Sequence, residues 1–178
     1  MDHGAWTPER AAQISSLFDA AASGWRDRDV PERHDALVDA VARGGPFPHG
    51  WCVEVGSGTG NATADLQQAF HDVVSVDLSR AMLRLAAFRG LRIQSDASAL
   101  PFRTGSAVVV ALINMFLFPT EISRLLADDG VLLWVSTNGE ETPIYLPPAE
   151  VLRALPGTWE GITSAAGWGT WLTARRVP

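Results

Sequence analysis

The stretch Val53-Glu54-Val55-Gly56-Ser57-Gly58-Thr59-Gly60-Asn61 decides how this chain is read. It closes an apolar run that begins at Trp51 and leads into a helical pattern over 62–70, the setting that a glycine-rich ligand loop requires. Glycine adopts positive φ without strain and lets a ligand approach the backbone with no Cβ in the way. The helix that follows offers free N–H groups and the positive end of its dipole. A dinucleotide loop of the form G-x-G-x-x-G would need its third glycine at 61, where Asn61 stands. The pattern is instead E-x-G-x-G-x-G, with Glu54 two residues ahead of the first glycine. A pyrophosphate wants donors only, whereas a carboxylate at a strand end suits a ligand that also carries an ammonium.

Outward from this loop, apolar runs at 51–55, 73–76, 91–94, 108–113 and 131–135 alternate with helical segments at 62–70, 80–88 and 121–126. The runs are continuously apolar rather than alternating, so both faces of the sheet are covered, as in a parallel sheet. Strand–helix alternation predicts a doubly wound α/β fold with right-handed crossovers. The tail differs: Pro147-Pro148 opens a short helix to Leu155. Strands at 159–163 and 169–174 then flank a turn at Ala165-Ala166-Gly167, which predicts an antiparallel hairpin at the edge. Ahead of the loop, residues 5–42 read as helical. Thr7-Pro8 is an N-cap followed by proline at the first helical position, and Ile14, Leu17, Phe18 and Ala21 form an apolar stripe. Pro31 opens a second helix with Leu37, Val38 and Val41 as its stripe and Gly44-Gly45 as its stop. The organisation is one domain over 1–178, with a helical cover at 1–46 and an α/β core at 51–178.

Composition narrows the function. With 178 residues, 47% hydrophobic and 19% charged, the chain is globular and long enough for a full core. Its net charge of −6, with no Lys/Arg run beyond Arg175-Arg176, argues against a nucleic-acid partner. The N-terminal Met1-Asp2-His3-Gly4 has no basic-then-apolar order, and no apolar stretch reaches the ~20 residues of a membrane span, so a cytoplasmic protein is expected. Cys52, inside an apolar run, reads as a core residue.

Two carboxylates lie in register with the loop. Asp77 ends the second strand, where it can accept hydrogen bonds from ribose hydroxyls; it fits NAD equally well and can also cap the next helix. Asp96 opens Asp96-Ala97-Ser98-Ala99-Leu100-Pro101-Phe102 just past the third strand and can accept from an adenine amino group, or serve as a turn residue. With the glycine loop, these segments resemble the class I S-adenosylmethionine-dependent methyltransferases of the small-molecule type, over roughly 51–135. The joint Asp128-Asp129-Gly130-Val131-Leu132 resembles that family's turn into its fifth strand, without the usual Pro-Gly-Gly.

The resemblance implies a Rossmann-like fold and S-adenosyl-L-methionine as cofactor. It places Gly56, Ser57, Gly58 and Gly60 along the methionine portion and Glu54 near its amino group. Asp77 meets the ribose, Leu78 and Met82 flank adenine, Asp96 and Ala97 meet the adenine edge, and Asn114 meets the amino-acid end or the acceptor. A small-molecule acceptor is implied, with no metal. The chain departs from many relatives in that 114–119 runs almost straight into the next helix, and nothing after Val135 is long enough for a lid. The acceptor pocket is therefore expected from the N-terminal helices, 114–119 and 137–145, or from a second copy of the chain in a homodimer. Trp25, Met115 and Phe116 are the candidate substrate-binding residues, and each is also an ordinary packing residue. His34 is the one candidate base; a solvated helix-surface histidine is the alternative. The functional alternatives are a non-catalytic or non-methylating S-adenosylmethionine-binding protein of the same fold and, disfavoured by Asn61 and Asp96, an NAD-dependent oxidoreductase.

Overall fold

Thr7 and Pro8 start the first helix as their chemistry dictates. In the computed structural model, which describes residues 6–177, α1 (Pro8–Ala21) begins with Thr7 Oγ1 accepting the Arg10 N–H at 3.2 Å. His3 and the rest of 1–5 lie outside the described residues. Only Ala11 of α1 is buried, and Leu17 is exposed, because α1 docks through polar groups. Its Asp19 accepts from Ser79 Oγ and from the Ala81 N–H at 3.0 Å, while Ser15 Oγ donates to the Leu78 carbonyl at 3.3 Å. Asp19 thereby caps the start of a core helix and fixes the cover to it. Beyond α1 the chain runs through three short 3₁₀ turns at Ala22–Gly24, Arg26–Arg28 and Pro31–Arg33. Pro31 thus opens a turn rather than the second helix, and α2 is Asp35–Arg43. That later start rotates the stripe: Ala36, Leu37 and Ala40 are buried and Val38 faces outward.

The core is a seven-stranded sheet. Its strands are β1 (Trp51–Val55), β2 (Asp72–Asp77), β3 (Leu91–Gln94), β4 (Ala107–Ile113), β5 (Leu126–Ser136), β6 (Trp159–Ala166) and β7 (Gly169–Arg176), in the order β3-β2-β1-β4-β5-β7-β6. The first five are parallel, and β7 lies antiparallel between β5 and β6, with β6 at the edge. The connecting helices are α3 (Thr63–Ala69), α4 (Arg80–Leu85), α5 (Pro119–Leu125) and α6 (Pro148–Ala154).

The continuous apolar runs have the meaning their pattern predicts, because alternate residues enter separate cores on opposite faces. Val53, Val55, Val74, Val76, Val110, Leu112, Leu132 and Trp134 pack with Ile122 and Leu125 of α5 and Val151 of α6. Cys52, Val73, Val109, Ala111, Leu133 and Val135 pack with Ala36, Leu37 and Ala40 of α2 and Leu66 of α3. Cys52 is fully buried, and burial raises its thiol pKa, which makes it a packing residue. No helix among the described residues is long and apolar enough to cross a membrane.

Candidate functional site

Strands β2 and β4 flank β1 on opposite sides, so the chain reverses its direction of winding at β1, and open α/β sheets hold ligands at the carboxyl ends there. The turns leaving the five parallel strands border a cavity of about 510 Å³. Its floor is 54–58 with Asn61 and Ala62, then 76–78 with Met82, then Ser95 and Ala97. One wall is 113–116 with Thr137, Asn138 and 141–144, and the cover contributes Trp6, Ile14, Phe18, Trp25, Arg28, Asp29, Arg33, His34 and Leu37. The three segments from which the sequence predicts an acceptor pocket do meet there.

Glu54 shares the sheet face of Cys52, under α3, and is 2% exposed. Both of its hydroxyl donors reach the same oxygen, Oε2: Thr63 Oγ1 at 2.5 Å and Ser75 Oγ at 2.9 Å. Burial pushes its pKa up to about 7; those two donors pull against the rise and the nearby Asp77 charge adds to it. Among the described residues no cation pairs with this carboxylate, yet it borders the cavity.

Asp77 holds the glycine loop closed. Its Oδ2 accepts the Gly58 N–H at 2.7 Å and its Oδ1 the Ser79 N–H at 2.7 Å. Burial raises its pKa, and these two backbone donors oppose the rise. A carboxylate has about four acceptor positions, so each oxygen keeps capacity toward the cavity. Leu78 and Met82 line the same region.

The glycines divide into two kinds. Gly56 (φ +78°) and Gly58 (φ +54°) border the cavity; a Cβ on Gly56 would lie 2.5 Å from Met115 Sδ, and one on Gly58 would lie 3.5 Å from the Trp25 indole nitrogen. Gly60 (φ +81°) is buried outside the lining, and a Cβ there would lie 2.3 Å from a Phe88 ring carbon. It makes room for Phe88 rather than for a ligand. Gly60→Ala is therefore expected to lower folding stability by about 2 kcal/mol, from strain at positive φ plus displacement of Phe88. Ligand affinity should be unchanged at saturating folded protein; urea denaturation with a parallel titration checks both.

Other expected residues find partners of their own. Asp96 is absent from the lining: both its oxygens accept the Trp6 indole N–H, at 3.0 and 2.9 Å, and Oδ1 also takes the Ser98 N–H at 2.8 Å. Ala97 does border the cavity, and its segment is pinned by α5: Glu121 accepts the Leu100 N–H, while Arg124 donates to the Leu100 and Phe102 carbonyls. Asn114 sits at φ +50°, a conformation asparagine tolerates. Its amide joins the ends of β4 and β5 by donating to Thr137 Oγ1 and accepting the Thr137 N–H, both at 2.8 Å. Trp25, Met115 and Phe116 all line the cavity; Trp25 stands edge-on to Phe18, with ring centroids 5.4 Å apart.

His34 reaches the cavity but not as a free base. Its Nδ1 meets Asp65 of α3 at 2.5 Å and its Nε2 meets Asp29 at 2.8 Å. Partial burial lowers its pKa, but the hydrogen bonds to Asp65 and Asp29 outweigh that and raise it. The two hydrogen bonds clamp the cover to α3, and both ring nitrogens are engaged in them rather than open to a substrate proton. His49 and His71 are exposed, away from the lining.

Sequence reasoning passed over Trp6, Arg28, Arg33 and Thr142. Thr142 Oγ1 and Ser57 Oγ are both buried without a hydrogen-bond partner, and both residues line the cavity. Buried hydroxyls are ordinarily paired, so a cavity holding two unpaired ones offers a ligand ready-made polar anchors.

A family model described as "Methyltransferase domain" matches residues 53–134, the span from the glycine loop to β5. No curated protein sequence matches the chain. Among solved structures, a DhpI–SAH complex superposes with a TM-score of 0.75 at 20% identity, covering 94% of this chain and 97% of that one. The putative methyltransferase in complex with the Haloferax volcanii Trm112 methyltransferase activator gives 0.72 at 20% identity, covering 90% and 97%. The [4+2]-cyclase SpnF gives 0.69 at 15% identity, covering 93% and 96%. At these identities the likeness is one of fold.

Proposed function

We propose that this chain, whose residues 53–134 match a methyltransferase-domain model, is a class I S-adenosylmethionine-dependent methyltransferase, that its cavity holds S-adenosyl-L-methionine across the ends of β1 to β3, and that it methylates a small acceptor admitted beside Phe116 and Thr142. The observation that carries the reading is Glu54. A buried carboxylate with hydroxyl donors on one oxygen and no cation calls for a cationic ligand group, and the amino-acid end of this cofactor brings an ammonium. Asp77 keeps acceptor positions for a vicinal diol, and the unpaired Ser57 hydroxyl is available to the carboxylate beside that ammonium. The residues present fit the group.

When bound, the cofactor supplies a methyl already activated by its sulfonium. The chain's residues are left to hold and to shield. Met115 seats against Gly56 and Trp25 against Gly58, so the two sides of the loop carry apolar walls that keep water from the reacting centre. The Asn114–Thr137 bonds tie the ends of β4 and β5 together and hold Met115 and Phe116 at a fixed distance from the floor. His34 contributes by fastening the cover, since both its nitrogens are occupied. The fold also carries a cyclase, so methyl transfer itself needs its own measurement.

Calorimetric titration should show saturable binding of S-adenosylmethionine and S-adenosylhomocysteine and none of NAD. Tritiated methyl should then appear in a small molecule when a metabolite extract is supplied. Binding of NAD in their place would overturn the cofactor reading, and binding without label transfer to any acceptor would leave a silent binder.

A further inference from the structure

We propose that the methyl acceptor is an anion, its carboxylate, phosphate or phosphonate group gripped by Arg28 and Arg33 of the cover. The inference rests on the cofactor reading above and adds the chemistry of the second ligand.

Both arginines border the cavity, and among the described residues no carboxylate pairs with either. Of the other arginines, Arg43, Arg124, Arg153 and Arg176 pair with Asp39, Glu121, Glu150 and Asp128, and none of the rest borders the cavity. The natural partner in sequence, Asp29, accepts from His34 Nε2 through Oδ1 and pairs with neither arginine. His34 in turn is bound on both sides, by Asp29 and Asp65. Arg28 and Arg33 are therefore the two arginines at the cavity, and among the described residues neither is in an ion pair.

Arg28 is exposed and Arg33 half-buried, so both guanidinium groups stay solvated at the rim of the cavity until an oxyanion enters and engages them. The geometry is also prepared. The Arg28 guanidinium lies 4.8 Å from the centre of the Trp25 ring, and stacking of this kind fixes the plane of a fork suited to bidentate oxyanion binding. Thr142 Oγ1, buried and unpaired in the 137–144 wall, can donate to the same group. On the floor Glu54 answers the cofactor's ammonium and the Ser57 hydroxyl can donate to its carboxylate, and the arginines, on the cover, are assigned to the acceptor.

The test uses the full chain saturated with S-adenosylhomocysteine, probed at constant ionic strength with methylphosphonate, inorganic phosphate, acetate and, as the cationic control, choline. At least one anion should raise the melting temperature saturably and choline should not; which anion acts best separates carboxylate from phosphate chemistry. In the Arg28→Gln/Arg33→Gln double variant the half-saturating anion concentration should rise about tenfold or more, with S-adenosylhomocysteine affinity changed less than about twofold. Equal anion responses in the two proteins, or none in either, overturn the proposal. So does a collapse of S-adenosylhomocysteine affinity in the double variant, which would give the arginines to the cofactor's carboxylate. Failure of the parent protein to bind S-adenosylhomocysteine would instead remove the cofactor reading and this inference with it. As an independent arm, tritiated product from a metabolite extract should be retained on an anion exchanger; label in the flow-through sinks the anionic acceptor alone.

Discussion

Glu54→Gln is expected to reduce S-adenosylmethionine affinity at least a hundredfold while making the ligand-free protein more stable at pH 8. The folded carboxyl has a pKa of about 7 against an ordinary 4.5, chiefly from burial. Between those values the folded state keeps a proton that the unfolded state has lost. Stability therefore falls as pH rises from about 4.5 to 7, and above 7 the charge imposes a constant penalty of about 3 kcal/mol. Glutamine removes that penalty and still offers an oxygen to Thr63 and Ser75. It cannot answer an ammonium, and losing a buried charge-assisted contact accounts for the affinity loss.

Two further results follow from the same charge. Cofactor binding near pH 6.5 should release a proton, visible as a dependence of the calorimetric enthalpy on the buffer's ionisation heat. Parent-protein affinity should rise as pH climbs toward 8. His34 adds a stability term of the same direction, because its pKa is raised: it stabilises below the unfolded value and is lost as pH passes the folded one. Glu54→Gln retains that second term, so calorimetric melts from pH 5 to 8 should show a shallower decline for the variant, not a flat one. Binding of S-adenosylmethionine within tenfold of the parent would sink the assignment of Glu54.

What was legible in the sequence is what depends on neighbours along the chain. The loop 53–61 carries its own glycines and carboxylate, and the strand–helix alternation fixes that Asp77, Leu78 and Asn114 leave the sheet on one edge. The contacts that revise the list are distant in sequence. Gly60 answers to Phe88, Asp96 to Trp6, and His34 to Asp65 on another helix. No periodicity announces such pairs, because they are set by how the cover lies across the sheet. The stretch 22–34 was hardest to read, since short 3₁₀ turns have no amphipathic stripe; Arg28 and Arg33 look like solvated surface until the turns bring them over the cavity. Thr142 sits in a loop of ordinary composition, and its unpaired hydroxyl is visible only once the surroundings are known.

Asp77→Asn is expected to damage fold and site together, which separates it from Glu54→Gln. The Asp77 oxygens face two backbone N–H groups from opposite sides, Gly58 on Oδ2 and Ser79 on Oδ1. Asparagine offers one acceptor, so its NH₂ must face an N–H donor whichever way the amide turns. One buried donor is left unsatisfied, a loss of about 1–3 kcal/mol only partly offset by removing a buried charge. If Gly58 is the group released, the glycine loop opens over the floor; if Ser79 is, α4 loses a bond at its start, where Met82 also depends on Ser79 Oγ. The ribose diol then meets a neutral amide in place of a carboxylate, and affinity should fall at least a hundredfold. Urea titration reads the first effect and calorimetry of S-adenosylhomocysteine the second. Parent-like stability with lost affinity would mean that Asp77 serves the ligand but not the loop, whereas affinity within about threefold of the parent would remove the ribose from this carboxylate altogether.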